Sequence, residues 1–280
     1  MSINVQIEIL YTGYCMAPEA IAIKSGKRKP IRFHANVALI QHPEKGYILF
    51  DTGYSPRFFE ATSRWPEKMQ ALSTPAVIEA EWSVISQLNK RGIKVEKIPH
   101  LVISHYHADH ISGLKDFTHS QFYSMKSGYD QMRRHKGFSG VRRGLIDKLM
   151  PDDIADRIDF FDEWERVERN DLFNFHYDMF GDGSIRVVQL PGHARGQIGL
   201  LLNEDSKDPV FLAADGFWLT DSLDQNVLPN SIVKLFFDDW SAYKESFQKI
   251  RRYRNEHPHT KIISCHCPKV FEGTPNKVYS

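Results

Sequence analysis

The stretch LVISHYHADH, Leu101 to His110, decides how this chain is read. An apolar run ends in a bend that carries His105, His107, Asp109 and His110. Crowding imidazoles and a carboxylate at one bend serves no packing purpose, but it suits a metal site. Along an extended chain, residues i and i+2 share a side, so His105 and His107 can reach one ion together. Asp109 and His110 lie past the bend and can face a second ion. Gly113 lets the backbone turn closely, and the ISGL stretch then resumes as the start of a helix.

Working outward, three further donors stand at the ends of apolar segments. QLPGHARGQ places His193 after a strand and a Pro-Gly turn, FLAADGFW places Asp215 at a strand end, and IISCHCP places His266 at another. In layered α/β proteins, strand ends that open on one edge are where sites are built. Each donor also has a plainer reading. His193 is a turn histidine satisfied by backbone, Asp215 an N-cap for a helix begun in GFWLTD, and His266 a strand-end histidine. Asp51, in LFDTGYS, forms an Asx-turn on the same view. Cys265 and Cys267 flank His266 and point away from it if the segment is extended, as small buried hydrophobes. A Cys-His-Cys site lacks a partner motif. His34, His42, His257 and His259 show no ligand pattern.

The surrounding elements fit an α/β layered domain. VQIEILYTG, FHANVALIQH and GYILFDTG read as strands, with HPEKG as a hairpin turn. TPAVIEAEWSVISQLNKRG reads as a helix capped by Thr74, with Pro75 in its first turn and Gly92 at its end. Residues 120–181 are charged, aromatic and mostly helical in pattern. They read as an aromatic-rich helical insertion within a single domain spanning residues 1–280. Strands return in SIRVVQL, QIGLLLN and PVFLAAD, followed by a helix in WSAYKESFQKIRRYRNEH and a strand in TKIISCHCP.

With 280 residues, 41% hydrophobic and 25% charged, the chain buries a core large enough to fold without metal or disulfide. A net charge of +1 gives no global attraction to nucleic acid or membranes. No apolar run reaches transmembrane length, and the first residues lack the basic region of a signal peptide. Three cysteines are too few for a disulfide framework, so a cytoplasmic protein with reduced thiols is expected.

The ordered set His105-x-His107-x-Asp109-His110, Pro191-Gly192-His193, Asp215 and His266, preceded by Asp51, resembles the metallo-β-lactamase superfamily. The resemblance runs from Asp51 to His266. It implies a four-layer αββα sandwich, with residues 120–181 near the active-site edge. It also implies two divalent metal ions, zinc by default, with iron, manganese or cobalt as alternatives. Carried over, His105, His107 and His193 hold one ion, Asp109, His110 and His266 the other, and Asp215 bridges them. Asp51 orients a ligand from behind. Two ions bring the pKa of water from about 15.7 to about 7, so a bridging hydroxide can attack a carbonyl or phosphoryl centre. Asp109 can then pass a proton to the leaving group.

Within the superfamily, the pattern is most similar to the N-acyl homoserine lactonase branch, the quorum-quenching hydrolases. PGHARGQIGLLL resembles that branch's strand after the turn. The branch commonly has a tyrosine three residues after the bridging aspartate, as a hydrogen-bond donor to substrate. Trp218 stands there, and its indole N–H is one candidate donor; Tyr106 is another. The expected reaction is opening of a lactone, or cleavage of a small ester or thioester that carries an apolar portion. Of the aromatics in residues 120–181, with Phe217, Trp218, Phe236, Phe237 and Trp240, most belong to the core and some are expected to cap the metal edge as an apolar pocket. One alternative is a phosphodiesterase or nuclease, for which RRHKGFSGVRR offers Arg133, Arg134, Lys136, Arg142 and Arg143. A second is a metal-binding regulator without turnover. An oligomer is compatible with all three.

Overall fold

The computed structural model describes residues 3–271 and 278–279. Its strands are β1 (Gln6–Pro18), β2 (Pro30–His42), β3 (Gly46–Phe50), β4 (Ala76–Val77), β5 (His100–Val102), β6 (Gln121–Ser124) and β7 (Ile158–Phe160). They continue with β8 (Val167–Glu168), β9 (Phe175–Asp178), β10 (Ile185–Gln189), β11 (Ile198–Leu202), β12 (Val210–Leu212), β13 (Lys261–Ile263) and β14 (Val278–Tyr279). The α-helices are α1 (Glu19–Ala22), α2 (Arg57–Ala61), α3 (Lys68–Ser73), α4 (Val84–Lys90) and α5 (Ala108–Ile111). Then come α6 (Lys126–Arg134), α7 (Phe138–Val141), α8 (Thr220–Gln225) and α9 (Trp240–Glu256).

Alternation along the strands sorts the apolar side chains into layers. On β11, Ile198, Leu200 and Leu202 face one way and Leu201 the other. The first three join Ile7, Ile9, Ile40, Ile48 and Val102 in a core between two sheets. Leu201 packs instead with Phe211, Phe247, Ile250 and Tyr253, under α9. On the far side, Leu39, Leu49, Leu101 and Phe122 pack against Phe58, Leu88, Tyr129 and Met132 of the helices. Helix, sheet, sheet, helix is the αββα sandwich that the sequence implied. One sheet has the order β14-β1-β2-β3-β5-β6-β7 with β4 added to β1, and the other β13-β12-β11-β10-β9-β8. No helix among the described residues is long and apolar enough to cross a membrane.

Strand direction positions the site. β3 and β5 are parallel neighbours, as are β12 and β13. β10 and β12 both run antiparallel to β11, so they share a direction. The segments after β3, β5, β10, β12 and β13 therefore leave their sheets at matching ends, and these segments carry Asp51, the LVISHYHADH bend, His193, Asp215 and His266.

Two local expectations change. The helix expected from Thr74 begins at Val84 instead, capped by the Ser83 side chain, which accepts from the Ser86 amide. Ala76 and Val77 are drawn away as a strand against Cys15 and Tyr14 of β1. Gly92, at φ 70°, ends the helix region as expected. Residues 120–181 are less helical than their pattern suggests. They supply β6 and β7 to the first sheet and β8 and β9 to the second. The helical part between Lys126 and Asp156 does reach the site edge, where a Cβ on Gly144 would lie 2.9 Å from the His107 ring.

Candidate metal centre

Site construction starts at Asp51, which follows β3 with φ 66°, a left-handed conformation rare outside glycine. That turn aims the carboxylate across to the next strand end. Oδ1 accepts from the Ser104 amide at 2.7 Å and Oδ2 from the Ser104 hydroxyl at 2.6 Å. Oδ2 also lies 2.8 Å from His110 Nδ1. Ser104 Oγ stands 3.0 Å from His105 Nδ1. Asp51 and Ser104 thus hold the rear nitrogens of two histidines, leaving both Nε2 atoms to face the site.

His105 Nε2 lies 3.1 Å from His107 Nδ1, and His193 Nε2 lies 2.9 Å from the same atom. These three nitrogens converge on one point. The alternation argument holds for His105 and His107, but helix α5 begins at Ala108, earlier than expected, so Asp109 and His110 sit in its first turn. Asp109, His110 and His266 form a second group whose ligand atoms lie within 4.8 Å of one another. Asp215 Oδ2 is 3.2 Å from His193 Nε2 and 2.8 Å from His266 Nε2, so one carboxylate touches both groups. Asp215 does not cap a helix, because α8 starts at Thr220 with Leu219 before it. Its own strained approach is Ala214 at φ 45°.

The donor set fits divalent cations. His110 Nε2 and Asp215 Oδ1 are buried 3.4 Å apart, an ion pair without hydrogen-bond geometry, and a cation could take a lone pair from each. Burial holds the His105 and His193 imidazoles well below the usual histidine range, so both are neutral and have a free lone pair. Burial acts the same way on His110 and His266, but the surrounding carboxylates together outweigh it and raise both: Asp215, Asp51 and Asp109 for His110, and Asp215 with Asp109 for His266. Burial in turn pushes Asp215 upward, yet His266, His110 and His193 hold it well below the carboxylate range. Loading a cation would displace the protons on His110 and His266.

His266 is held from behind as well, its Nδ1 2.6 Å from the His34 carbonyl. The backbone around it bridges the two sheets. The amides of His34 and Asn36 on β2 donate to the carbonyls of His266 and Cys265, at 3.1 and 2.9 Å, and the Cys265 amide donates to Ala214 O at 3.2 Å. All three cysteines are free and buried. Cys265 packs in the core between the sheets, as expected of a small buried residue, and its sulfur also lies within 4.8 Å of ligand atoms of Asp51 and His110. Cys267 turns instead to Thr220, with Sγ 3.2 Å from the hydroxyl.

Neither expected substrate donor is free. Tyr106 is buried in the core, with its hydroxyl 2.6 Å from Ser124 Oγ, because alternation sends it opposite to His105 and His107. Trp218 donates its indole N–H to Asp215 Oδ2 at 3.1 Å. Its ring forms a wall, 5.8 Å from His193 and 5.6 Å from Phe237. Phe237, one of the aromatics offered by the sequence for an apolar pocket, lies edge-on to His193 at 4.9 Å. Beside it the segment Ile232, Leu235 and Phe236 is 55%, 70% and 63% exposed.

Two sheets packed face to face, with histidines and carboxylates gathered at matching strand ends, define a class of metal-dependent enzyme. The metallo-beta-lactamase superfamily profile matches residues 30–256, and the chain belongs to that superfamily. An N-acyl homoserine lactonase, AttM of Rhizobium radiobacter, is 25% identical over 199 residues, 70% of this chain and 68% of that protein. A solved N-acyl homoserine lactone hydrolase, with the product N-hexanoyl-L-homoserine at its catalytic metal centre, superposes with TM-score 0.71 at 15% identity. That match covers 98% of each chain. AidC, a dizinc quorum-quenching lactonase, superposes with TM-score 0.64 at 15% identity, over 96% of this chain and 90% of AidC.

Proposed function

We propose that this protein is a dinuclear metal hydrolase that opens a lactone or cleaves a small ester or thioester. The observation that carries the reading is Asp215, one carboxylate between His193 of the first donor group and His266 of the second. His105, His107 and His193 would hold one cation, and Asp109, His110 and His266 the other. When bound, such ions lower the pKa of water to about 7 and polarise a carbonyl. Asp109 is the acid of the cluster most open to solvent, at 21% side-chain exposure, so its free oxygen can take a proton and return it to a leaving group. Asp51 and Ser104 hold Nδ1 of His110 and His105 from behind, so Nε2 is the nitrogen each turns to a cation, His110 once its extra proton is displaced.

Substrate chemistry follows from the mouth. Phe237 and Trp218 wall it, and Ile232, Leu235 and Phe236 lie exposed beside it. This supports a substrate with an apolar portion. AttM, AidC and the product-bound hydrolase act on lactones by name, which supports a lactone ring as the bond opened. Phosphodiester cleavage is the second reading. It is favoured by the basic segment around α6 and α7, whose Gly144 packs on His107.

The test combines metal analysis with a parallel offer of lactones, thioesters, β-lactams and a chromogenic phosphodiester. Two bound ions and turnover of a lactone or ester are expected. Turnover confined to the phosphodiester would select the second reading. Absence of bound metal after loading would remove the hydrolase.

A further inference from the structure

Four histidines face the centre with Nε2, and three of them have an acceptor behind Nδ1. His105 has Ser104 Oγ at 3.0 Å, His110 has Asp51 Oδ2 at 2.8 Å, and His266 has the His34 carbonyl at 2.6 Å. His193 breaks the pattern. Its Nε2 lies 2.9 Å from His107 Nδ1, while its Nδ1 is buried with no hydrogen-bond partner. A metal-ligating imidazole donates its rear N–H to something, and that contact sets its orientation and basicity.

A second orphan is packed close by. The Tyr243 hydroxyl is also buried without a partner, in a side chain only 1% exposed. Tyr243 stands on α9, whose backbone presses on the turn before His193. A Cβ on Gly192 would lie 2.0 Å from the Tyr243 nitrogen. The Tyr243 ring lies 4.6 Å from Phe237, which lies 4.9 Å from His193. Tyr243 packs with Phe237 and Trp218, the same two rings that lie against His193, which puts it on the side of α9 that faces the centre. A buried hydroxyl with no partner is destabilising, and phenylalanine would fill the same space without that cost.

We propose that Tyr243 is a positioning residue for the metal centre, its hydroxyl completing His193 through one ordered water behind Nδ1–H. The inference rests on His193 being a metal ligand, as the proposed function has it. An imidazole N–H and a phenol together give a bridging water two polar partners. The contact would fix the ring that Phe237 and Trp218 touch only through apolar edges.

The variant Tyr243→Phe tests this, with zinc uptake measured by competition against a chelating dye and thermal unfolding followed in the metal-free protein. Metal-free Tyr243→Phe should unfold within a few degrees of the parent, since one water-bridged contact is lost and the packing is kept. One of its two zinc equivalents should bind about tenfold more weakly. Tyr106→Phe is the control, because its hydroxyl already has Ser124. It should lose stability and keep both zinc affinities. Parental zinc affinity in Tyr243→Phe overturns the role of Tyr243 and leaves the hydrolase standing. A larger loss of metal-free stability together with equal weakening of both ions also overturns it, since that is loss of packing. A parent chain that takes up no zinc removes the metal-centre reading itself.

Discussion

In the proposed mechanism, chemistry depends most directly on Asp109 and His107. Asp109→Asn keeps the size and removes the proton acceptor, so kcat should fall about 100- to 10,000-fold. His107→Ala removes the nitrogen on which His105 and His193 converge and should abolish nearly all hydrolysis. Both variants should keep the parent's circular dichroism spectrum. Wild-type turnover in either would refute metal-dependent hydrolysis. Ser104→Ala tests the support behind His105 and His110, and a 10- to 100-fold weaker zinc affinity is expected by competition titration. The histidines and aspartates of the site were legible because donor residues cluster in short motifs at strand ends. Ser104 and Tyr243 were not, because their surroundings come from partners across the fold. A sequence shows that Trp218 carries an N–H and Tyr106 an O–H, and not that Asp215 and Ser124 are the groups they meet.

Among elements, α9 presses closely on the turn that follows β10. Gly192 has φ 124°, and α9 lies against it. Gly192→Ala adds backbone strain and a clash with helix backbone, on the order of 3 kcal/mol, measurable by urea unfolding. At the other end of the second sheet, Glu204 joins Arg169, Arg186 and the Tyr253 hydroxyl of α9. Burial raises its pKa, but the hydrogen bonds from Arg169 and Arg186 win and bring it to about 2. A depressed carboxylate contributes fully above its unfolded value, near pH 4.5, and the contribution disappears as pH falls toward 2. Glu204→Gln should therefore cost about 3 kcal/mol at pH 7, and the gap to the parent should close through that window. Parallel stability curves across it would refute the linkage. Strands β1, β2, β3, β5, β10 and β11 were visible because apolar residues run or alternate over several positions. Strands β6 and β7, QFYS and IDF, were hidden by their shortness and by the helical pattern around them. The start of α4 was displaced because edge pairing with β1 overrides local helix signals at Ala76 and Val77.

At the scale of the molecule, three apolar cores hold the sandwich without using any metal donor as packing. Chelation should leave the protein folded but less stable. An ion at 100 times its Kd contributes about 2.7 kcal/mol, or roughly 5–10 °C in Tm for a chain of this size. Scanning calorimetry before and after chelation, with zinc restored, checks this, and an unmoved Tm would refute it. The fold class was legible because strand ends carrying donors recur in order along the chain. The weaving of residues 120–181 through both sheets was not, since pairing partners are set by tertiary contact. Because the carbonyls of Cys265 and His266 accept from β2 while the Cys265 amide donates beside β12, the two sheets cannot slide past each other without breaking the loop that presents His266. The amides of His34, Asn36 and Cys265 are therefore local gauges of occupancy. Their hydrogen exchange should slow when the centre is filled, while amides at the opposite end of the sandwich keep their rates.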